Sequence, residues 1–166
     1  MTLPRRQRPK VLHFVTGGFS GATQVAVDLV RAHGASGRFD ALLVLRRKRT
    51  TLPERVRALQ ADGLRVELVP GWSHAATVWA LASLCRRFQP DILVAHGYSE
   101  HLWGRYAGLL AGVRHLVHVE HNSRERYTRW RLKQALWLAD RTAATVGVSE
   151  GVREQLVARG FPAERC

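Results

Sequence analysis

Val11-Leu12-His13-Phe14-Val15-Thr16-Gly17-Gly18-Phe19-Ser20-Gly21-Ala22 is the stretch whose reading decides the fold. An aliphatic run passes directly into a glycine-rich turn, and from there into Ala22–His33, where apolar residues return at helical spacing. The unit recurs along the chain. Strand-like runs stand at Ala41–Leu45, Leu64–Val69, Ile92–Ala95, Leu116–Val119 and Ala144–Val148, at intervals of roughly 25 to 30 residues. Helical patterns fill the gaps at Leu52–Ala61, Ala75–Phe88, Glu100–Ala111, Arg124–Ala139 and Glu150–Arg159. Glycine follows four helical patterns as an expected stop: Gly34, Gly63, Gly112 and Gly160. Runs that are apolar throughout suit strands covered on both faces, which parallel sheets require. Strict strand–helix alternation with short connections then gives an open α/β sheet with right-handed crossovers. The expectation is one Rossmann-like, doubly wound, mainly parallel sheet of six strands with helices on both faces, filling residues 1–166 behind a basic tail at residues 1–9.

Composition allows this and excludes alternatives. The chain has 166 residues, 46% of them hydrophobic, enough for one domain with a real core and not for two large ones. No apolar run approaches the ~20 residues of a membrane-spanning helix. The basic start is followed by a strand-like run instead of a signal-peptide core, so a cytoplasmic location is expected. Cys85 and Cys166 suggest neither a disulfide framework nor a metal site, and the eight histidines lack metal-ligand spacing. No metal and no cofactor are expected. The formal charge is +13, and 23 of the 26 basic residues are Arg. That bias suits a GC-rich genome, an anionic membrane surface, a phosphorylated ligand or nucleic acid; charge alone does not choose among them.

The polar residues fall unevenly. After the first strand comes Thr16-Gly17-Gly18-Phe19-Ser20-Gly21-Ala22; after the fourth, His96-Gly97-Tyr98-Ser99; after the fifth, Glu120-His121-Asn122-Ser123; after the sixth, Ser149-Glu150. In a parallel sheet these carboxyl ends share one edge, where open α/β folds bind ligands. Gly17, Gly18 and Gly21 are expected to allow positive φ and a close backbone approach, with the next helix offering its N-terminus to an anion. The loop is neither a dinucleotide fingerprint nor a P-loop: G-x-G-x-x-G is not matched and no Gly-Lys-Ser/Thr follows. His96 and His121 close strands expected to be neighbours. Glu120 precedes His121, although adjacent strand residues point to opposite faces. His13, His33, His74, His115 and His118 carry no comparable argument.

These residues resemble a family. Gly18-Phe19-Ser20-Gly21-Ala22-Thr23-Gln24-Val25 is similar to the first loop and helix of group-4 glycosyltransferase N-terminal domains, where Gly-Gly-Ala-Glu-Arg-Val is usual and Thr23 here replaces the glutamate. Pro90-Asp91-Ile92-Leu93-Val94-Ala95-His96-Gly97 resembles that family's Pro-Asp-(aliphatic)-x-His-x-His segment, and Leu116–His121 its next strand. Val146-Gly147-Val148-Ser149-Glu150, with Leu156 and Gly160, resembles the last helix before the interdomain crossover. The resemblance implies the acceptor-side half of a retaining GT-B enzyme that moves a sugar from a nucleotide-sugar donor, UDP- or GDP-linked, to a sugar or lipid-linked acceptor. It implies that Gly17, Gly18, Gly21 and Ala22 line the donor-facing loop. It places His121 on the donor sugar as the catalytic-site histidine, His96 nearby on the acceptor side, and Glu120 and Ser149 around them. The family's nucleotide pocket and glutamate pair belong to a C-terminal half outside this chain, so residues 1–166 alone are expected to be inactive.

The pattern at Arg124–Ala139 has two sides. Leu132, Ala135, Leu136 and Ala139 fall on one, the expected core face; Trp130 and Trp137 fall on the other, with Arg126, Arg129 and Lys133 flanking them. That second side suits an anionic membrane surface at the inner face, or packing against a neighbouring helix or the missing domain. Two further functions compete with sugar transfer. One is a stand-alone nucleotide or sugar-phosphate binding module. The other is a nucleic-acid-binding α/β protein, disfavoured because no RRM, KH, zinc-finger or helix-turn-helix pattern is present.

Overall fold

Six aliphatic runs become strands: β1 (Lys10–Thr16), β2 (Asp40–Arg46), β3 (Val66–Val69), β4 (Ile92–His96), β5 (His115–Glu120) and β6 (Ala144–Gly147). The intervening segments become α1 (Gly21–Ser36), α2 (Pro53–Ala61), α3 (His74–Phe88), α4 (Glu100–Ala111), α5 (Arg129–Ala139) and α6 (Glu150–Ala158), with a final 3₁₀ turn at Ala163–Arg165. The computed structural model describes residues 8–97, 99–122 and 127–166. Every strand pairing is parallel, in the order β3-β2-β1-β4-β5-β6. The order reverses direction between β1 and β4, and there the loops leaving the two strands diverge and leave a crevice.

The sheet is covered on both faces. On one, Val15, Leu43 and Leu45 pack against Ala26, Val27 and Val30 of α1 and against Val56 and Leu59 of α2. On the other, Leu12, Phe14, Leu93 and Ala95 meet Leu81, Leu84 and Cys85 of α3 and Ala107 of α4. Gly104 lets α4 sit close to the sheet, since a Cβ there would lie 2.8 Å from both Ala95 Cβ and Phe14 Cδ1. Both cysteines are free. Among the described residues, no helix is long and apolar enough to cross a membrane.

Most boundaries agree with the sequence reading to within one or two residues, and two helix boundaries differ by more. Gly34 does not stop α1, which runs on to Ser36; Gly37 ends it in the left-handed region (φ 61°) and returns its N–H to the Gly34 carbonyl. Of the segment expected as helix from Arg124, residues 124–126 lie outside the described residues and the helix α5 starts at Arg129, where Thr128 is extended and its side chain accepts from the Arg131 N–H as a cap. Arg126 lies outside the described residues. Within α5 the two sides separate: of the expected core face Ala135 and Ala139 are buried and Leu132 and Leu136 half-buried, Leu138 is buried beside them, while Trp130 is 69% and Trp137 47% exposed. Trp137 stacks near Tyr106 of α4 and under the Arg141 guanidinium. Arg129 and Lys133 are exposed beside it.

Candidate functional site

A cleft of about 580 Å³ opens where β1 and β4 part, lined by Gly21, Ala22, His96, Gly97, Glu120 and His121 among others. A cavity of similar size, 620 Å³, lies elsewhere, beside Lys10, Asp40, Arg65 and Phe88. It contains none of the rim residues singled out above, and open α/β folds bind at the strands' carboxyl ends, so chemistry points to the first.

The glycine loop forms one wall of the cleft, by a route other than expected. None of Gly17, Gly18 and Gly21 is in the left-handed region; Phe19 takes that conformation, at φ 51°. Gly17 is needed for close approach instead. Its N–H donates to the Arg46 carbonyl at 2.8 Å, and a Cβ there would fall 2.6 Å from that same oxygen. Gly18 is exposed and donates its N–H to Thr16 Oγ1. Thr23, at the position where glutamate is usual, is buried and donates its hydroxyl to the Thr16 carbonyl at 2.9 Å, tying α1 back to the end of β1. Ser20 precedes the helix in an extended conformation but makes no side-chain cap, and no acidic residue occupies the first turn. The N-terminus of α1 therefore keeps its positive end for the cleft.

β5 separates its polar residues by face. His118 and Glu120, two apart, turn toward His101 of α4 and Tyr127; His121, just past the strand, turns to the opposite face beside His96, the face that α1 covers. Glu120 is 1% exposed. Its Oε1 accepts from the backbone N–H groups of His121 at 3.0 Å and Asn122 at 3.4 Å, and its Oε2 accepts from the Tyr127 hydroxyl at 3.2 Å, with His118 Nε2 at 3.6 Å. Burial raises this carboxyl; the contacts from His118, Tyr127 and the His121 backbone outweigh it and hold the group below its ordinary range. Glu120 thus fixes the turn that carries His121, and the two side chains do separate work. Behind it Arg105 is wholly buried, donating to Thr142 Oγ1 at 3.0 Å and contacting His101 Nδ1 at 2.6 Å. Tyr127 bridges His101 Nε2 and Glu120, linking guanidinium to carboxylate. His101, His118 and Glu120 bring potential ligand atoms within 4.8 Å of one another, a grouping that linear spacing did not reveal. The Arg105 cation beside it opposes a second positive charge there.

His96 is fully buried, its Nδ1 3.2 Å from His121 Nε2 and its Nε2 3.0 Å from His13 Nδ1. Burial is the main cause that lowers it, to about 2, and lowers His13 to about 3; burial also lowers His121. All three are neutral imidazoles at physiological pH. Ser149 caps α6, accepting from the Val152 N–H at 3.3 Å, and Val148 beside it lines the cleft. The sequence reading missed Arg46 and Glu100. Both are buried under the rim, 3.5 Å apart, with Lys48 Nζ 3.2 Å from the same Glu100 oxygen. A charged residue at each of two strand or helix ends was the only signal for that pair.

Comparison with known proteins gives the following. The profile described as Glycosyltransferase Family 4 matches residues 19–166. No curated protein sequence matches the chain. Among solved structures, a glycosyltransferase from Rickettsia africae ESF-5 superposes with a TM-score of 0.73 at 10% identity, over 96% of this chain and 42% of that one. The lipopolysaccharide outer core galactosyltransferase WaaB, in its apo form, gives a TM-score of 0.69 at 15% identity, over 94% and 44%. A UDP-GlcNAc 2-epimerase from Neisseria meningitidis, bound to UDP-GlcNAc, gives 0.66 at 12% identity, over 94% and 45%. These likenesses are likenesses of fold. The chain spans less than half the length of each of these structures.

Proposed function

The chain belongs to Glycosyltransferase Family 4, and from that premise we propose that it is the acceptor-side half of a retaining transferase that uses a nucleotide-sugar donor. The observation that carries this is the cleft itself. It places the uncapped start of α1, the close-packed glycine loop and His121 around one crevice at the point where strand order reverses. A helix N-terminus without a side-chain cap favours a phosphate oxygen. A neutral imidazole beside it suits a sugar hydroxyl, because it neither repels nor binds charge. Gly21 and Ala22 leave room for the donor to approach, and Gly17 and Gly18 shape the loop behind them. One neighbour in fold, the Neisseria meningitidis epimerase, is bound to UDP-GlcNAc, which supports a nucleotide-sugar as the ligand of this cleft. The acceptor, a sugar or a lipid-linked one, would enter beside His96 and Glu100 at the cytoplasmic face of a membrane. A donor-binding half would complete the reaction, and no metal is assigned a part in it.

The test is a panel of UDP- and GDP-sugars offered to the gene product that includes any sequence downstream of residue 166. One donor should be consumed, with a product of retained configuration, and His121→Ala should lower kcat/KM by about 100-fold. Donor binding without transfer to any acceptor would favour a stand-alone sugar-nucleotide module. Transfer unaffected by His121→Ala would remove this cleft from the reaction.

A further inference from the structure

Three imidazoles cross one face of the sheet along a single diagonal. β1 and β4 are in register with His13 opposite Val94, so His96 lies two residues further on and on the same face. β4 and β5 are in register with His96 opposite Val119, so His121 lies two residues further again. The repeated step brings His13 Nδ1 to 3.0 Å from His96 Nε2, and His96 Nδ1 to 3.2 Å from His121 Nε2. His13 and His96 are 2% and 0% exposed, and burial keeps both uncharged.

A neutral imidazole has one N–H and one lone pair. Each contact in the row needs one of each, so the row can run in only two directions, and setting one ring sets all three. Both nitrogens of His96 are engaged, which leaves it no independent choice. The end of the row decides the direction. Nε2 of His13 is buried and has no hydrogen-bond partner among the described residues. If protons point from His13 toward His121, that orphan is a lone pair. In the reverse direction it is a buried N–H with no acceptor, the rarer and costlier arrangement.

We infer that His13 and His96 are positioning residues that lock His121 into the tautomer with its proton on Nδ1, so that it offers the cleft an N–H donor. The ligand atom that meets His121 is then an acceptor, a hydroxyl or phosphate oxygen. Only the identity of that ligand rests on the sugar-transfer reading; the tautomer belongs to the folded chain without ligand.

The experiment is therefore done on the unliganded protein, labelled with 15N-histidine, by long-range 1H–15N correlation near neutral pH. His121 should show a pyrrole-type Nδ1 and a pyridine-type Nε2. His96→Asn keeps an N–H donor near the place of Nδ1 and should preserve that pattern. His96→Leu removes it and should shift His121 toward a majority of the Nε2–H form. A pyridine-type Nδ1 in the wild type, or an unchanged tautomer in folded His96→Leu, overturns the inference. Should His96→Leu fail to fold, 15N–15N coupling across the His96–His121 hydrogen bond in the wild type identifies the donor directly. A donor on His121 would overturn the inference equally. Failure of sugar transfer would leave these readings untouched, so the two ideas fail separately.

Discussion

Protonating a histidine that the fold holds neutral works against folding, and several of this protein's eight histidines are so held. His13 is lowered to about 3, His96 to about 2 and His118 to about 4, in each case chiefly by burial, against an ordinary value of 6.5. Between those values and 6.5 the unfolded chain binds protons that the folded chain does not. Stability therefore rises with pH through this window and is lost as pH falls below 6.5, at roughly 1 kcal/mol per pH unit for each histidine. Glu120 is lowered as well, so its contribution is present above the ordinary carboxyl range and disappears in stronger acid. Urea unfolding midpoints should be flat from pH 7 to 8 and fall steeply between pH 6.5 and 4.5. A midpoint indifferent to pH in that range would mean that these rings are not buried neutral. None of this was legible residue by residue. His13 and His118 look like any polar residue within an aliphatic run, and their burial depends on which helix covers which face.

At the scale of the element, two helical glycines are predicted to behave oppositely. Gly104→Ala would press a Cβ to 2.8 Å from Ala95 and Phe14 and should destabilise by about 1–3 kcal/mol. Gly34 lies inside α1 with no atom of the described residues within 4 Å of its added Cβ, and Gly34→Ala should stabilise by roughly 0.5–1 kcal/mol through helix propensity. Thermal unfolding of the two variants checks both signs. On α5, Trp130 is 69% exposed on the same helix as the exposed Arg129 and Lys133, whereas Trp137 already has Tyr106 and Arg141 as partners. Co-sedimentation with anionic vesicles should drop on Trp130→Ala and less on Trp137→Ala, and neutral vesicles should bind neither. Equal retention by both lipids, or none by either, would remove the membrane from this face. The α5 pattern was readable in advance because helical period alone sorts aliphatic from aromatic residues. Its start was not, since Thr128 ends up as a cap through its own backbone conformation.

For the whole molecule, the prediction is that residues 1–166 bind ligand weakly and transfer nothing. A cleft open on one side cannot exclude water or oppose charge from two directions, and both effects supply much of the rate in such chemistry. Product formed from a nucleotide-sugar by this chain alone would defeat that expectation. The alternation of six aliphatic runs with helical patterns determined the sheet, its parallel sense and the rim that gathers Gly21, Ala22, His96, Glu120 and His121, because covered parallel strands demand continuous apolar runs. Those features are local, and so they were legible in the sequence. What only the tertiary structure decided is pairing across the sheet: that His13 underlies His96, that Arg105 answers Glu120 through Tyr127, and that Gly17 serves contact with Arg46 instead of φ. Each joins residues far apart in the chain, His13 and His96 by 83 positions, through register and helix placement, and a single chain of letters records neither.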